Sequence, residues 1–405
     1  MSTIRPASPP AAEAAASDSA PFIDSQRHLF DMPREVAWLN CAYMSPLLIE
    51  AAEAGKAGIA RKARPWTITP PDFFSEPERV RALFARIVNA EADDIAIVPS
   101  ASYGAAVAAK NLPCGRGQEI VVLEDQFPSN YYIWARLAAQ RGATVRTVPR
   151  AAAEREGGEV DWAAAILEAI GPATAIVALP HCHWTDGSLV DLVAVGQAAR
   201  AEGAALALDL TQSAGALPFD VTAVQPDFAV AASYKWLLGP YSLGFLYVAP
   251  QHRGGVPLEE NWITRAGAED FARLVDYTED YQSGARRFDM GERSNFHLMP
   301  AAEVALTRLL DWGIERIAAT LAARNREIAR RAREIGLEVP GDRSRAPHYL
   351  GLRAANGLPR DLPSRLAADN VFVSVRGESV RVTPHLWTDD VDVDRFFGLI
   401  GDALA

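Results

Sequence analysis

Cysteine is scarce in this chain. Cys41, Cys114 and Cys182 are its three cysteines, an odd number at wide spacing, which suits free thiols in a reducing compartment better than a disulfide framework. Long apolar runs are missing as well. No stretch approaches the roughly 20 residues that a membrane-crossing helix needs, and the first twenty residues lack the apolar core of a secretion signal. No membrane association is therefore expected, and the cytoplasm is the expected location. Basic runs are absent too, and 51 acidic against 40 basic side chains give a net charge of -11. That balance argues against a nucleic-acid partner. What is present is ordinary for a soluble globular enzyme: 405 residues, 49% hydrophobic and 22% charged, enough for two or three domains.

The informative stretch is 205–248. Ala205 to Leu208 and Phe228 to Ala232 are short, continuous apolar runs and read as buried strands. The first leads into Asp209 and the second into Ser233, Tyr234 and Lys235. In an open α/β sheet the carboxyl ends of the strands face the ligand crevice, so Asp209 and Lys235 are expected to enter one site from neighbouring strands. A buried carboxylate and a buried amine each need a partner. Pyridoxal 5′-phosphate (PLP) supplies both, since its aldehyde forms a Schiff base with the lysine and its pyridine nitrogen is held protonated by the carboxylate. An ion pair between two strands is the structural alternative.

Residues 1–21 are rich in Ala, Pro and Ser and too poor in large apolar side chains to offset the cost of ordering, so they are expected to be mobile. Val36 to Asn40 reads as a strand; Ser45 and Pro46 then read as the start of a helix reaching Arg64. Ser75 to Glu78 is a capping-box pattern opening a helix to about Asn89. Strands follow at Ile95 to Val98, Glu119 to Leu123, Thr144 to Val148 and Thr174 to Leu179. Helical stretches near 103–111, 129–141, 161–170 and 191–202 alternate with them. This order predicts an α/β fold with a mainly parallel, doubly covered sheet. Helices at Pro300 to Asp311 and Ile314 to Ile335 precede a final α+β segment, with strands near 348–353, 371–375 and 379–382 and helices near 362–369 and 391–404.

At the turn after the first strand of this series, Ser100-Ala101-Ser102-Tyr103-Gly104 offers hydroxyl and backbone N–H groups at a helix N-terminus, an arrangement suited to a phosphate. Gly-rich nucleotide fingerprints are absent from this turn. His181-Cys182-His183-Trp184-Thr185-Asp186-Gly187 invites a metal reading, yet nothing nearby completes tetrahedral spacing, and no metal is expected.

Taken together, Asp209-Leu210-Thr211-Gln212-Ser213-Ala214-Gly215, Asp227-Phe228-Ala229, Ser233-Tyr234-Lys235 and Gly239-Pro240 resemble the class V aminotransferase family of fold type I PLP enzymes, and within it the kynureninase branch. The resemblance implies a large α/β domain with a mainly parallel sheet of the seven-stranded type and a small α+β domain. It implies the divisions 22–55 (packing with the small domain), 56–289 and 290–405, and a homodimer with shared active sites. It further implies cofactor contacts from Ser102, Tyr103, Phe127 on the PLP ring, Asp209, Gln212, Ser233, Tyr234 and Lys235, with Ser294 and Asn295 reaching the phosphate from the neighbouring subunit. Arg381, in Arg381-Val382-Thr383-Pro384-His385-Leu386-Trp387, corresponds to the family's arginine for the substrate carboxylate, for which a guanidinium fork is suited. Tyr43, His183 and Trp184 are implied as substrate contacts, with core packing as the alternative for Tyr43 and Phe127.

Gln212 departs from kynureninase, which has His there, and agrees with the desulfurases, where the amide donates to the 3′-oxygen of PLP. Desulfurases take up sulfur on a cysteine in a loop before the final strands, and no cysteine occurs between 183 and 405. The expectation is an enzyme acting on a small amino-acid substrate, a β-lyase ahead of an aminotransferase, a kynureninase-like hydrolase or a non-catalytic PLP-binding protein, and not a persulfide-forming desulfurase.

Overall fold

Seven short strands carry the fold, and all but the edge strand Thr144–Val148 are apolar on both faces because helices cover both. In the computed structural model, which describes residues 22–155 and 159–404, they are β2 to β8 in a set of thirteen that begins with β1 (Ala37–Trp38). Their ranges are Ile95–Val98 (β2), Glu119–Leu123 (β3), Thr144–Val148 (β4), Thr174–Pro180 (β5), Ala205–Asp209 (β6), Phe228–Ala232 (β7) and Gly244–Val248 (β8). The expected tail, 1–21, lies outside the described residues. The sheet order is β2-β8-β7-β6-β5-β3-β4. The pairs from β4 through β7 are parallel, and β8 runs antiparallel to both its neighbours, β7 and β2. Successive side chains in a strand point to opposite faces, so Ile95, Ile97, Val121, Leu123, Val177, Leu179, Leu206 and Leu208 join one buried cluster. Ala96, Val98, Ile120, Val122, Ile176, Ala178 and Ala207 join another. The expected strands match closely. β8 was not among the expected strands, and a run such as Gly244–Val248, buried on both faces, carries no mark of direction.

One consequence governs the site. All the parallel strands and β2 end at the same edge of the sheet, and β8 begins there. Close approach keeps that edge tight. The helix Ala101–Asn111 lies on β7 through Gly104, where an added Cβ would come within 2.5 Å of Val230. Gly215, at φ +96°, lets the turn after β6 meet the carbonyl of Trp236.

A second sheet, β12-β13-β10-β9, is built from Leu337–Glu338 (β9), Leu350–Ala354 (β10), Ser374–Arg376 (β12) and Ser379–Val382 (β13). Beside it β1 pairs in parallel with β11 (Val371–Phe372), which ties the start of the described chain to its end. Arg27 and Arg34 reinforce that tie through the buried carboxylate of Asp392 at 2.9 and 2.7 Å. The helix Leu298–Trp312 packs on the core of the large sheet, through Met299, Ala302, Leu306 and Leu309.

Two helix starts differ from expectation. The helix expected from Ser45 begins at Ile49, because the backbone N–H and hydroxyl of Ser45 are spent on the carbonyl of Tyr234. The helix expected from Ser75 begins at Asp72, whose carboxylate accepts from the Thr69 backbone at 2.7 Å, and so Ser75 lies inside it.

Beside β2 sits the most deeply buried charge cluster of this region. Arg81, Asp289 and Arg293 are at most 1% exposed. Arg81 grips Asp289 with both amino groups at 3.0 and 2.8 Å, Arg293 donates to it at 2.6 Å, and the Ile97 backbone donates at 2.7 Å. Removing the carboxylate leaves the buried guanidinium of Arg293 without an ion-pair partner and that of Arg81 with Glu78 alone, at 3.1 Å. Asp289→Ala should therefore cost about 3–5 kcal/mol of stability, measured by urea denaturation. A loss under about 1 kcal/mol, the scale of an exposed pair, would contradict this role.

Candidate active site at the carboxyl edge of the sheet

A cavity of about 290 Å³ opens at the carboxyl edge, lined by residues that directly follow strands. Ser100 and Ser102 come after β2, Gln126, Phe127, Ser129 and Asn130 after β3, Cys182 and Trp184 after β5, Asp209, Thr211 and Gln212 at and after β6, and Tyr234 and Lys235 after β7. Tyr241 to Leu243, just before β8, complete the lining.

Lys235 is 7% exposed. Burial lowers its amine to about 8 from the usual lysine range; Asp209 opposes this shift, while Arg381 and Arg376 add to it. Its Nζ lies 5.6 Å from the centre of the Phe127 ring and 5.5 Å from that of Tyr234. Asp209 is half-buried at the end of β6. Burial raises its carboxyl above the usual range, and hydrogen bonds from Thr211, including the backbone N–H at 2.9 Å, and the charge of Lys235 work the other way. Among the described residues neither group forms a salt bridge. An amine and a carboxylate on one cavity, each carrying a desolvation cost without an ion-pair partner, fit a group that brings an aldehyde to one and a protonated ring nitrogen to the other. PLP is such a group.

The remaining side chains divide clearly. The Ser100 hydroxyl caps the helix Ala101–Asn111 by accepting from the Tyr103 backbone at 3.1 Å, and it meets the Ser102 hydroxyl at 2.9 Å. This end of the cavity thus presents hydroxyls at a helix N-terminus, where an anion is favoured. Gln212 is held on every side. Its amide donates to the Ala42 carbonyl at 3.1 Å and accepts from Trp236 at 3.0 Å, and its backbone carbonyl meets His348 Nε2 at 2.6 Å. Phe127 stands edge-on to Trp184, with centroids 5.4 Å apart. Burial pushes the Tyr234 hydroxyl up to about 12, and its ring lies 4.6 Å from that of Tyr241.

Arg381 is 2% exposed and lies behind Trp184. Its guanidinium donates to Ser374 Oγ at 2.8 and 2.7 Å, to the Trp184 carbonyl at 3.1 Å and to the Tyr349 hydroxyl at 3.2 Å. Its centre is 5.9 Å from the Trp184 ring. Tyr43, half-exposed, lies within electrostatic reach of Tyr234 and Arg376.

Other expected contacts sit elsewhere within the single chain. His183 turns into the core: its ring nitrogens meet the Glu124 carbonyl at 3.0 Å and Thr185 Oγ1 at 2.7 Å, and the ring stacks on Trp162. Successive residues point opposite ways, so Trp184 faces the cavity and His183 does not. Ser233 is buried and spends its hydroxyl on the Pro240 carbonyl at 2.5 Å. The Tyr103 hydroxyl turns toward Glu259. Ser294 donates to the Phe73 carbonyl, and the Asn295 side chain caps the helix Leu298–Trp312 by accepting from the backbone of His297 and Leu298.

The sequence reading missed two features. Cys182 lines the cavity, and Cys41 lies close enough to Lys235 for their charges to interact. Both thiols are buried, and burial pushes both well above the ordinary range. Cys182 donates to the Gln212 carbonyl at 3.4 Å. Tyr349 and Ser374, which orient Arg381, were also missed, since only the pairing of distant strands brings them there.

Comparison with known proteins agrees with this geometry. Residues 72–387 match the family model described as aminotransferase class-V. An uncharacterized aminotransferase, YcbU, of Bacillus subtilis is 27% identical over 315 residues, covering 76% of this chain and 79% of that protein. A kynureninase of Deinococcus radiodurans is 30% identical over 308 residues, covering 72% of this chain and 70% of its own length. Among solved structures, the cystine C–S lyase C-DES in complex with its reaction product cysteine persulfide superposes with a TM-score of 0.79 at 20% identity, over 91% of this chain and 98% of that one. Family match, fold and cavity chemistry agree: this chain belongs to the class V aminotransferase family, in the fold type I architecture, and its cofactor is pyridoxal 5′-phosphate.

Proposed function

We propose that this protein is a lyase that breaks a bond at the β-carbon of an α-amino acid, such as a carbon–sulfur bond, without carrying the product on a cysteine. The observation behind this reading is the placement on one cavity of Lys235, an amine that burial lowers to about 8, and Cys182, a thiol that burial shifts away from the thiolate.

When bound, PLP supplies an aldehyde for amino groups and a protonated ring that takes up negative charge from the substrate α-carbon. Asp209 is the residue suited to keep that ring nitrogen protonated, and Phe127 offers an aromatic face. Lys235, freed when the substrate amine takes its place, can remove and return the α-proton, a task for which a pKa near the working pH is favourable. Arg381 is suited to the substrate carboxylate, its fork already oriented by Ser374 and Tyr349. With a leaving group on the β-carbon, removal of the α-proton is followed by loss of that group with its bonding electrons, and water takes the unsaturated amine to a 2-oxo acid and ammonia. A thiolate at Cys41 or Cys182 is disfavoured by burial, which argues against a persulfide-forming reaction.

The reading includes a second copy of the chain. Tyr241 on the cavity lining is 62% exposed, and Tyr132, Trp66 and Tyr277 are more exposed still, which suits a surface covered by a partner. In the assembly proposed here Ser294 and Asn295 approach the phosphate of the neighbouring subunit.

Replacing Cys41, Cys114 and Cys182 together by serine should change turnover by less than about tenfold, with 2-oxo acid and ammonia released in equal amounts from an amino acid bearing a β-leaving group. A folded, PLP-loaded variant that loses turnover along with an enzyme-bound persulfide would overturn the assignment, as would 2-oxo acid without ammonia, the mark of transamination. Sedimentation velocity should find the active protein as a dimer, and a fully active monomer would remove the shared-site part.

A further inference from the structure

The small sheet aims a second arginine at the same indole that Arg381 faces. Ser374 on β12 and Arg381 on β13 are direct partners in the antiparallel ladder, so their side chains leave the same face of the sheet. Arg376 lies two residues beyond Ser374 and shares that face, displaced by roughly 7 Å along the strand. The guanidinium centre of Arg376 is 6.0 Å from the Trp184 ring, against 5.9 Å for Arg381. Trp184 lines the cavity and is edge-on to Phe127, over which Lys235 sits.

The two arginines differ in how they are committed. Arg381 is buried and oriented by hydrogen bonds to Ser374, Trp184 and Tyr349. Arg376 is only half-buried and donates one bond, to the neighbouring Val375 carbonyl at 2.7 Å. Among the described residues no carboxylate forms a salt bridge with either one. Burial lowers Arg376 from its ordinary value and the adjacent Arg381 lowers it further. In a chain of net charge -11, the cavity and the residues behind its Trp184 wall gather Lys235, Arg376 and Arg381, against one carboxylate on the cavity lining, that of Asp209. An α-carboxylate at Arg381 answers one of these charges and leaves Arg376 unanswered.

We infer that Arg376 is a specificity residue that binds an anionic group on the substrate side chain, so that the preferred substrates are amino acids carrying a second acidic group. This rests on the amino-acid reading above. A guanidinium beside an aromatic face, in a partly dehydrated position, discriminates strongly between an anion and its neutral isostere.

Isosteric pairs separate charge from size. Titration of the PLP-loaded protein with L-aspartate against L-asparagine, and L-glutamate against L-glutamine, followed by the visible absorbance of the cofactor, should favour the anionic member of at least one pair by about tenfold or more. Arg376→Met should bring that ratio close to one while leaving affinity for the amides within about twofold, and Arg376→Lys should restore part of it. Equal affinities within both pairs in the wild type, or a ratio that Arg376→Met does not change, would overturn the inference and leave the amino-acid reading intact. A wild-type spectrum that no α-amino acid perturbs would overturn that reading, and this inference with it.

Discussion

The desolvation of one amine is the constraint around which the molecule is arranged. Lys235 follows β7, with protein on nearly every side and a carboxylate close enough to be felt but not to pair with it. Charged, such a group is expensive; neutral, it is a nucleophile. Holding it there takes the rigid turn from Ser233 to Gly239, closed by the Ser233 hydroxyl on Pro240 and by the Gly239 backbone on Ser233. That turn in turn rests against the loop after β6 where Gly215 meets Trp236. The free energy for this costly placement, in which Leu238 adopts a left-handed conformation at φ 54°, comes from the close-packed sheet, whose central strands are apolar on both faces.

The same edge is closed from above by parts of the chain remote in sequence. The segment after β1 reaches the lysine turn through Ser45 and Tyr234, and it supplies Cys41 and the carbonyl that orients Gln212. The small sheet supplies Arg381 and Arg376 through Trp184. Cofactor chemistry is thus suited to the wall made by the large sheet, and recognition of the rest of the substrate to the wall made by the two ends of the chain.

Much of this was legible in the sequence, for a physical reason. A strand covered on both faces must be a continuous apolar run, so the central strands of the parallel sheet could be read almost to the residue, and the polar residues that end them had to meet at one edge. Asp209, Lys235, Ser102, Phe127, Gln212, Trp184 and Tyr234 all line the cavity, as the order of the strands required. Where two neighbours alternate, as His183 and Trp184 do, the sequence does not say which faces inward, and His183, implied as a substrate contact, turns into the core of the single chain. Ser45 and Ser75 had the chemistry of helix caps, but tertiary hydrogen bonding claimed the first and an earlier Asp72 displaced the second. Arg376 and Tyr349 acquire their roles only through strand pairing across the small sheet, which no local pattern records.

The central claim is that Lys235 is the amine that PLP engages. Lys56, Lys62 and Lys110 are the other lysines of the chain, so the test has few alternatives. Protein freed of cofactor is mixed with PLP across a pH series, reduced with borohydride at intervals and mapped by peptide mass spectrometry. Because only the unprotonated amine reacts, and burial lowers Lys235 to about 8, the labelling rate at Lys235 should rise about tenfold per pH unit below that point and level off above it. Label on another lysine, or a rate still climbing toward the ordinary lysine value, would contradict the account.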